Sequence, residues 1–391
     1  MKPMGDVFSE LIGQQRAVAT LQRAVAGHKH AMTHAWLFVG PPGSGRSNAA
    51  KAFAAALQCP RGGCGACEEC RTTLSGAHPD VTLLRTEQLS IGVDEVRALV
   101  GRANMAPVKQ RHQIVVVEDA DRITERGADA LLKGLEEPAP RTVWLLCAPN
   151  PDDVIITIRS RCRVIKLSTP NDNAVTQLLI QRDGVSPALA AHAARVAQGH
   201  VGRARMLARS EDARIRRHEI LTLPAKLTSV TACLTAAENL VAAAKEEAEQ
   251  TTTELDAKEM AALQEALGIG GRGTAKPRNA QAAIKDLEEQ QKMRSKRIQR
   301  DALDRVLTEL TGYYRDVLAV QTAPEVPLVN ADLADQIRPV ANRSTPEQTV
   351  RALDALLQAR TALEGNVAPL LALESMLISL SLASRTHPRG A

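Results

Sequence analysis

The chain has 391 residues and a formal net charge of +5, enough length for roughly two or three domains. Hydrophobic residues make up 44% but aromatic ones only 2%, so the core must be Ala, Leu, Val and Ile, a composition that favours helices. The mildly basic balance permits contact with nucleic acid without demanding it, and no run approaches the roughly 20 apolar residues of a membrane span. Met1–Asp6 leads into a mixed segment without the apolar stretch of a signal peptide, so a cytoplasmic protein with no membrane partner is expected. Of seven cysteines, four fall between residues 59 and 70. In a reducing compartment that crowding argues for a metal rather than disulfides.

Taken in order, Leu37-Phe38-Val39 reads as a short buried strand and Ser47–Gln58 as an alanine-rich helix. Val81–Leu84 and Ile114–Val117 are β-rich apolar runs. Ala128–Leu135 is a helix ended by Glu137-Pro138, Thr142–Cys147 a buried strand and Val164-Ile165 a last short one. Strands alternating with helices over residues 1–167 predict an α/β domain, a parallel sheet with helices on both faces. Strand signals then vanish. Residues 168–209 read as a small helical domain, with Asn171 or Asp172 capping one helix and Ser186-Pro187 opening another.

Residues 210–391 are helical as well. Within them 231–267 are rich in Glu and Asp, Gly268–Pro277 is a breaker, and 280–320 carry Lys292, Arg294, Lys296, Arg297 and Arg300. An acidic helix, a turn and a basic helix predict an antiparallel hairpin over about 231–320, with charge pairing across it and a seam of Leu255, Leu263, Leu267, Ile284 and Leu287. Two independent solvated helices are the alternative.

Gly40-Pro41-Pro42-Gly43-Ser44-Gly45-Arg46-Ser47 fits a phosphate loop except at Arg46, where the motif has lysine. It follows a strand and precedes a helix, so backbone N–H groups converge on phosphate oxygens and the helix N-terminus adds partial positive charge. Ser47 is placed to hold Mg²⁺. A guanidinium is planar and bulkier than the ammonium that reaches the β- and γ-phosphates, so binding of ATP or ADP stays open while turnover is expected to suffer. The strand ending in Glu118-Asp119 carries the second acidic motif in reversed order. Each carboxylate is then misplaced by about 1 Å, an error that can cost roughly 10²-fold in rate. A capping pair for the next helix is the competing reading.

Cys59, Cys64, Cys67 and Cys70 are spaced to wrap one tetrahedral Zn²⁺, with Gly62, Gly63 and Gly65 allowing tight turns. All four positions are sulfur, which predicts a structural site within a module at 59–70. Cys147 and Cys233 read as packing residues.

Several stretches together resemble the bacterial clamp-loader subunits of the AAA+ class, and among these the delta-prime branch of the DNA polymerase III loader. They are Leu11-Ile12-Gly13-Gln14, Thr33–Phe38 running into the phosphate loop, the cysteine cluster, His78-Pro79-Asp80, Ala130–Pro138 and Ser160-Arg161-Cys162. The resemblance covers about residues 8–210. It implies an AAA+ core (1–167), a helical lid (168–209) and a helical collar (210–391) that joins five subunits in a ring. It also implies motor (gamma/tau) and delta subunits, the sliding clamp and primer-template DNA as partners. In this resemblance Arg161 is a finger acting in trans on a neighbour's γ-phosphoryl group, a role that can be worth about 10³–10⁵-fold. The motor subunits' polar sensor position falls on Pro149, with Asn150 one place late, and their second sensor arginine on Gly202, with Arg203 one place late. The resemblance therefore implies a subunit that assists ATP-dependent clamp loading without hydrolysing ATP itself. An ATP-hydrolysing motor subunit is the alternative, and a zinc-dependent nucleic-acid adaptor a weaker one.

Overall fold

The computed structural model describes residues 6–86, 90–109, 111–266, 280–365 and 367–384. The chain divides into two compact units, Met1–Ser210 and Glu211–Ala391. In the first unit the order is α1 (Gln15–Val25), β1 (Ala35–Val39), α2 (Arg46–Gln58), α3 (Glu68–Ser75), β2 (Val81–Leu84), α4 (Val93–Ala103), β3 (Gln113–Val117), α5 (Glu125–Glu136), β4 (Thr142–Ala148), α6 (Ile156–Arg159), β5 (Arg163–Lys166), α7 (Asp172–Asp183), α8 (Pro187–Ala197) and α9 (Val201–Arg209).

The five strands form one parallel sheet in the order β2-β3-β4-β1-β5. Strands β1, β3 and β4 are buried along their whole length, as expected of a parallel sheet covered on both faces, and for that reason they read as continuous apolar runs. Side chains alternate between the faces. Trp36 and Phe38 pack with Phe53 and the buried alanines of α2. Leu37, Val39, Trp144 and Leu146 pack against α4, α5 and α6. Small residues let the helices approach: a Cβ on Gly134 of α5 would lie 3.3 Å from the Trp144 ring.

The helices α7–α9 close the first unit. Asn171 is the cap of α7, its side chain accepting from the Ala174 N–H at 2.8 Å. Pro187 opens α8 after Ser186, whose side chain makes no cap bond. Gly199 turns the chain into α9 with φ of +81°, and a Cβ there would fall 2.6 Å from the Pro170 carbonyl oxygen. Asp183 at the end of α7 accepts from Arg205 Nε at 2.9 Å and pairs with Arg209 at 2.5 Å, which fastens α9 to α7.

The second unit is helical: α10 (Glu211–Lys226), α11 (Val230–Ala266), α12 (Ala280–Thr322), α13 (Ala334–Arg343), α14 (Pro346–Glu364) and α15 (Pro369–Ser384). Leu303, Leu307, Leu310, Tyr313 and Val317 of α12 form the spine of its core. A buried polar group is satisfied inside it: Arg217 pairs with Glu309 at 3.0 Å and also donates to Asn330. Helices α11 and α12 run antiparallel, with Arg294 bridging Asp256 and Glu259 at 2.5 Å and Arg305 meeting Glu247. Leu255, expected in the seam, is instead 45% exposed; Ala244, Ala248 and Thr252 are the buried positions of α11 nearby. Leu263, Ile284 and Leu287 of the expected seam are half-buried. Leu267 and the expected tip at 268–277 lie outside the described residues.

A candidate nucleotide-binding cleft, a cysteine cluster and an exposed arginine

Strand β1 delivers the loop Gly40–Gly45 to the N-terminus of α2. Gly43 and Gly45 sit at φ of +82° and +90°, conformations that side chains rarely adopt. The Gly40 N–H donates to the Pro149 carbonyl at 3.2 Å, tying the loop to the end of β4. The Ser44 hydroxyl is buried without a hydrogen-bond partner among the described residues. A left-handed glycine loop, an unsatisfied buried hydroxyl and a long helix N-terminus fit an anion such as a nucleotide phosphate.

Gly43, Ser44, Gly45, Arg46 and Ser47 line a cleft of about 260 Å³ together with Glu10, Leu11, Ile12, Asn48, Pro170, His200, Val201, Gly202 and Arg205. That is below the roughly 300–1,000 Å³ usual for small-molecule sites. His200 narrows it: a Cβ on Gly43 would come 2.4 Å from the His200 ring. Burial pushes the His200 imidazole below its ordinary value, with Arg203 adding to the effect, so it is neutral at pH 7. Its Nδ1 accepts from the Arg203 N–H at 3.2 Å as the cap of α9.

Two of the altered motif residues, Arg46 and Glu118, are already engaged. Arg46 donates from Nη1 to the Gly40 carbonyl oxygen of its own loop. Glu118 Oε1 lies 2.7 Å from Lys51 Nζ, and Oε2 faces Arg85 at 3.8 Å. Glu118, Asp119, Gly40 and Pro42 do not line the cleft. Asn150 accepts from the Asp152 N–H at 3.5 Å and so caps a turn. Sequence reasoning missed Glu10, His200 and Arg205 in the cleft and Lys51 beside Glu118. Lys51 carried a signal, since it stands one helical turn beyond Ser47 and so on the same side of α2.

The four cysteine sulfurs lie within 4.8 Å of one another. Cys59 Sγ is 3.7 Å from both Cys64 Sγ and Cys67 Sγ. A tetrahedron with metal–sulfur bonds of about 2.3 Å has sulfur–sulfur edges of about 3.8 Å, so the cluster fits Zn²⁺. Backbone amides of Ala66 and Cys67 hold the Cys64 thiol down to about 6, and Arg61 Nη2 lies 3.1 Å from its sulfur. Burial pushes Cys70 up, an effect a bound cation would reverse. Helix α3, which carries Cys70, is joined to the sheet by Glu69, whose carboxylate meets the buried His78 at 2.7 Å just before β2.

Arg161 follows α6, with 38% of its side chain exposed. Its guanidinium meets Glu136 at 2.5 Å and donates to the Thr157 carbonyl at 2.9 Å. Cys162 behind it packs against the core, and burial pushes its thiol up to about 12.

A family model described as DNA polymerase III, delta subunit, matches residues 13–171. That span holds the sheet, the glycine loop, the cysteine cluster and Arg161. Over that span the chain is similar to this family. Relatives of two kinds match it. The DNA polymerase III subunit delta' of Pseudomonas aeruginosa is 40% identical over 135 residues, 33% of this chain and 41% of that protein. The delta' subunit of Bacillus subtilis is 32% identical over 180 residues, 45% of this chain and 54% of that protein. The gamma/tau subunit of Mycobacterium tuberculosis is 35% identical over 159 residues, 39% of this chain and 27% of that protein. The chain thus spans from about a quarter to about half of the length of these relatives. A solved structure of a DNA polymerase III gamma subunit-related protein from Thermotoga maritima aligns over 94% of this chain and 100% of that one, with 16% identity and a TM-score of 0.42, too low to add to the fold seen directly. No helix of the described residues is long and apolar enough to cross a membrane.

Proposed function

We propose that this chain is the delta-prime-type subunit of a DNA polymerase III clamp loader, assisting ATP hydrolysis in a neighbouring motor subunit rather than performing it. The observation that carries this reading is a contrast within one domain. The exposed guanidinium of Arg161 is presented at the surface, while the domain's own phosphate loop has Arg46 turned onto Gly40 and Glu118 of its acidic strand end paired with Lys51.

In this reading the core (1–167) and lid (168–209) form a subunit body, and the collar (210–391) joins it to gamma/tau and delta subunits in a five-membered cytoplasmic ring. The ring loads the sliding clamp onto primer-template DNA. Arg161 enters a neighbour's site, where its planar charge stabilises the transferring phosphoryl group. Zn²⁺ held by Cys59, Cys64, Cys67 and Cys70 fixes the excursion between α2 and β2 as a closed structural site. The glycine loop is suited to hold an ADP or ATP phosphate, with Ser47 toward Mg²⁺, but the residues that would drive turnover are spent elsewhere.

The test is phosphate release by the purified chain alone, by the cognate gamma/tau-type subunit alone, and by the two with delta. Negligible release by this chain and stimulation in the assembly are expected. The second reading, a hydrolysing motor subunit, is favoured by the gamma/tau relatives and the fit of the loop. Turnover by this chain alone would establish it.

A further inference from the structure

We infer that Glu136 is the positioning residue for Arg161, fixing the guanidinium for a phosphate bound by another subunit; the inference rests on the reading of Arg161 as a finger. An arginine just beyond a four-residue helix such as α6 has many rotamers, and a finger acts only from the few that reach its target. Here the guanidinium is held from two elements. Nη1 donates to the Thr157 carbonyl at 2.9 Å and faces the Ser160 hydroxyl at 3.3 Å, both within its own turn. Nη2 meets Glu136 Oε1 at 2.5 Å, and Glu136 is the last residue of α5.

Helix α5 is a firm anchor. Thr124 caps it, accepting from the Gly127 N–H at 3.2 Å. Leu131 and Leu135 are each 1% exposed against the sheet. A carboxylate at a helix C-terminus opposes the macrodipole, so helix stability does not account for Glu136; a cation partner does. The pairing also leaves the finger usable. Arginine has five N–H donors, and these contacts leave Nε–H and a second Nη2–H for a phosphate oxygen. With 48% of the Glu136 side chain exposed, solvent screens the pair and the incoming phosphate keeps most of the attraction of the guanidinium.

The experiment is a double-mutant cycle on the assembled loader, reading steady-state ATP hydrolysis for Glu136→Gln, Glu136→Asp, Arg161→Ala and the Glu136→Gln/Arg161→Ala pair. Glu136→Gln should lower kcat by about 5- to 10-fold with KM unchanged, and Glu136→Asp should recover most of the loss. Arg161→Ala should be slower still, and the pair no slower than Arg161→Ala alone, because Glu136 acts only through Arg161. Wild-type kcat in Glu136→Gln while Arg161→Ala is slow would overturn the positioning role and leave the finger standing, as would losses that multiply in the pair. Wild-type kcat in Arg161→Ala would remove the finger reading itself, and this inference with it.

Discussion

Lys51 Nζ lies 2.7 Å from Glu118 Oε1, a cation of the protein's own seated on the carboxylate at the end of β3. In a hydrolysing site of this class, carboxylates at this strand end serve Mg²⁺ and the attacking water. A carboxylate already paired, with a side chain only 10% exposed, offers a divalent ion little unless Lys51 leaves.

Restoring the loop lysine should therefore not restore catalysis. Arg46→Lys alone is expected to show no ATP hydrolysis above the wild-type chain, because Glu118 stays bound to Lys51. Lys51→Ala should leave Glu118, among the described residues, with Arg85 at 3.8 Å as its remaining cation and cost about 1–3 kcal/mol of stability, read as a lower melting temperature. Turnover by the Arg46→Lys single variant would show that the pair is no obstacle.

The cysteine cluster should carry about one equivalent of zinc. Thiolates are the ligands, so binding releases protons and weakens as pH falls. Replacing Cys64 by Ser should lose the metal and loosen residues 59–70, while the far-UV signal of the sheet and its helices persists. Zinc-free protein from reducing preparations, or an iron chromophore, would contradict the assignment.

Asp183 should make the first unit sensitive to acid. Burial alone would raise its carboxyl, but hydrogen bonds and charge from Arg205, with Arg209 and Arg182, outweigh it and hold the group below the usual range. A group with a depressed folded value stabilises fully above its unfolded value, near 3.9 for Asp. That stability is lost as pH falls through the folded value. Asp183→Asn should thus lower the melting temperature at pH 7, with a cost of about 1–3 kcal/mol, and the gap to wild type should close in acid. A gap independent of pH would mean that the charge is not what fastens α9 to α7.

Much of the first unit was legible because parallel strands buried on both faces are written as apolar runs, as in Ile114–Val117, and because the glycine loop is a contiguous motif. The four cysteines were legible for the same reason: their ligand geometry is local. The partners of the motif residues were not. Lys51, Glu136, His200 and Arg205 act through tertiary approach, and single polar or charged residues on or beside helices read as solvated until the fold brings them to Glu118, Arg161, Gly43 and Asp183. The hairpin shows the same limit. Its charge pairing followed from composition, but Leu255 is exposed while Ala244, Ala248 and Thr252 are the buried positions nearby, a choice of face that composition does not set.

If Arg161 works in another chain's site, steady-state ATP hydrolysis by the assembled loader must depend on it. Arg161→Ala should fold, load zinc and assemble with gamma/tau and delta, yet lower hydrolysis at the site it faces by about 10³-fold or more. Hydrolysis at the wild-type rate in the Arg161→Ala assembly would contradict it.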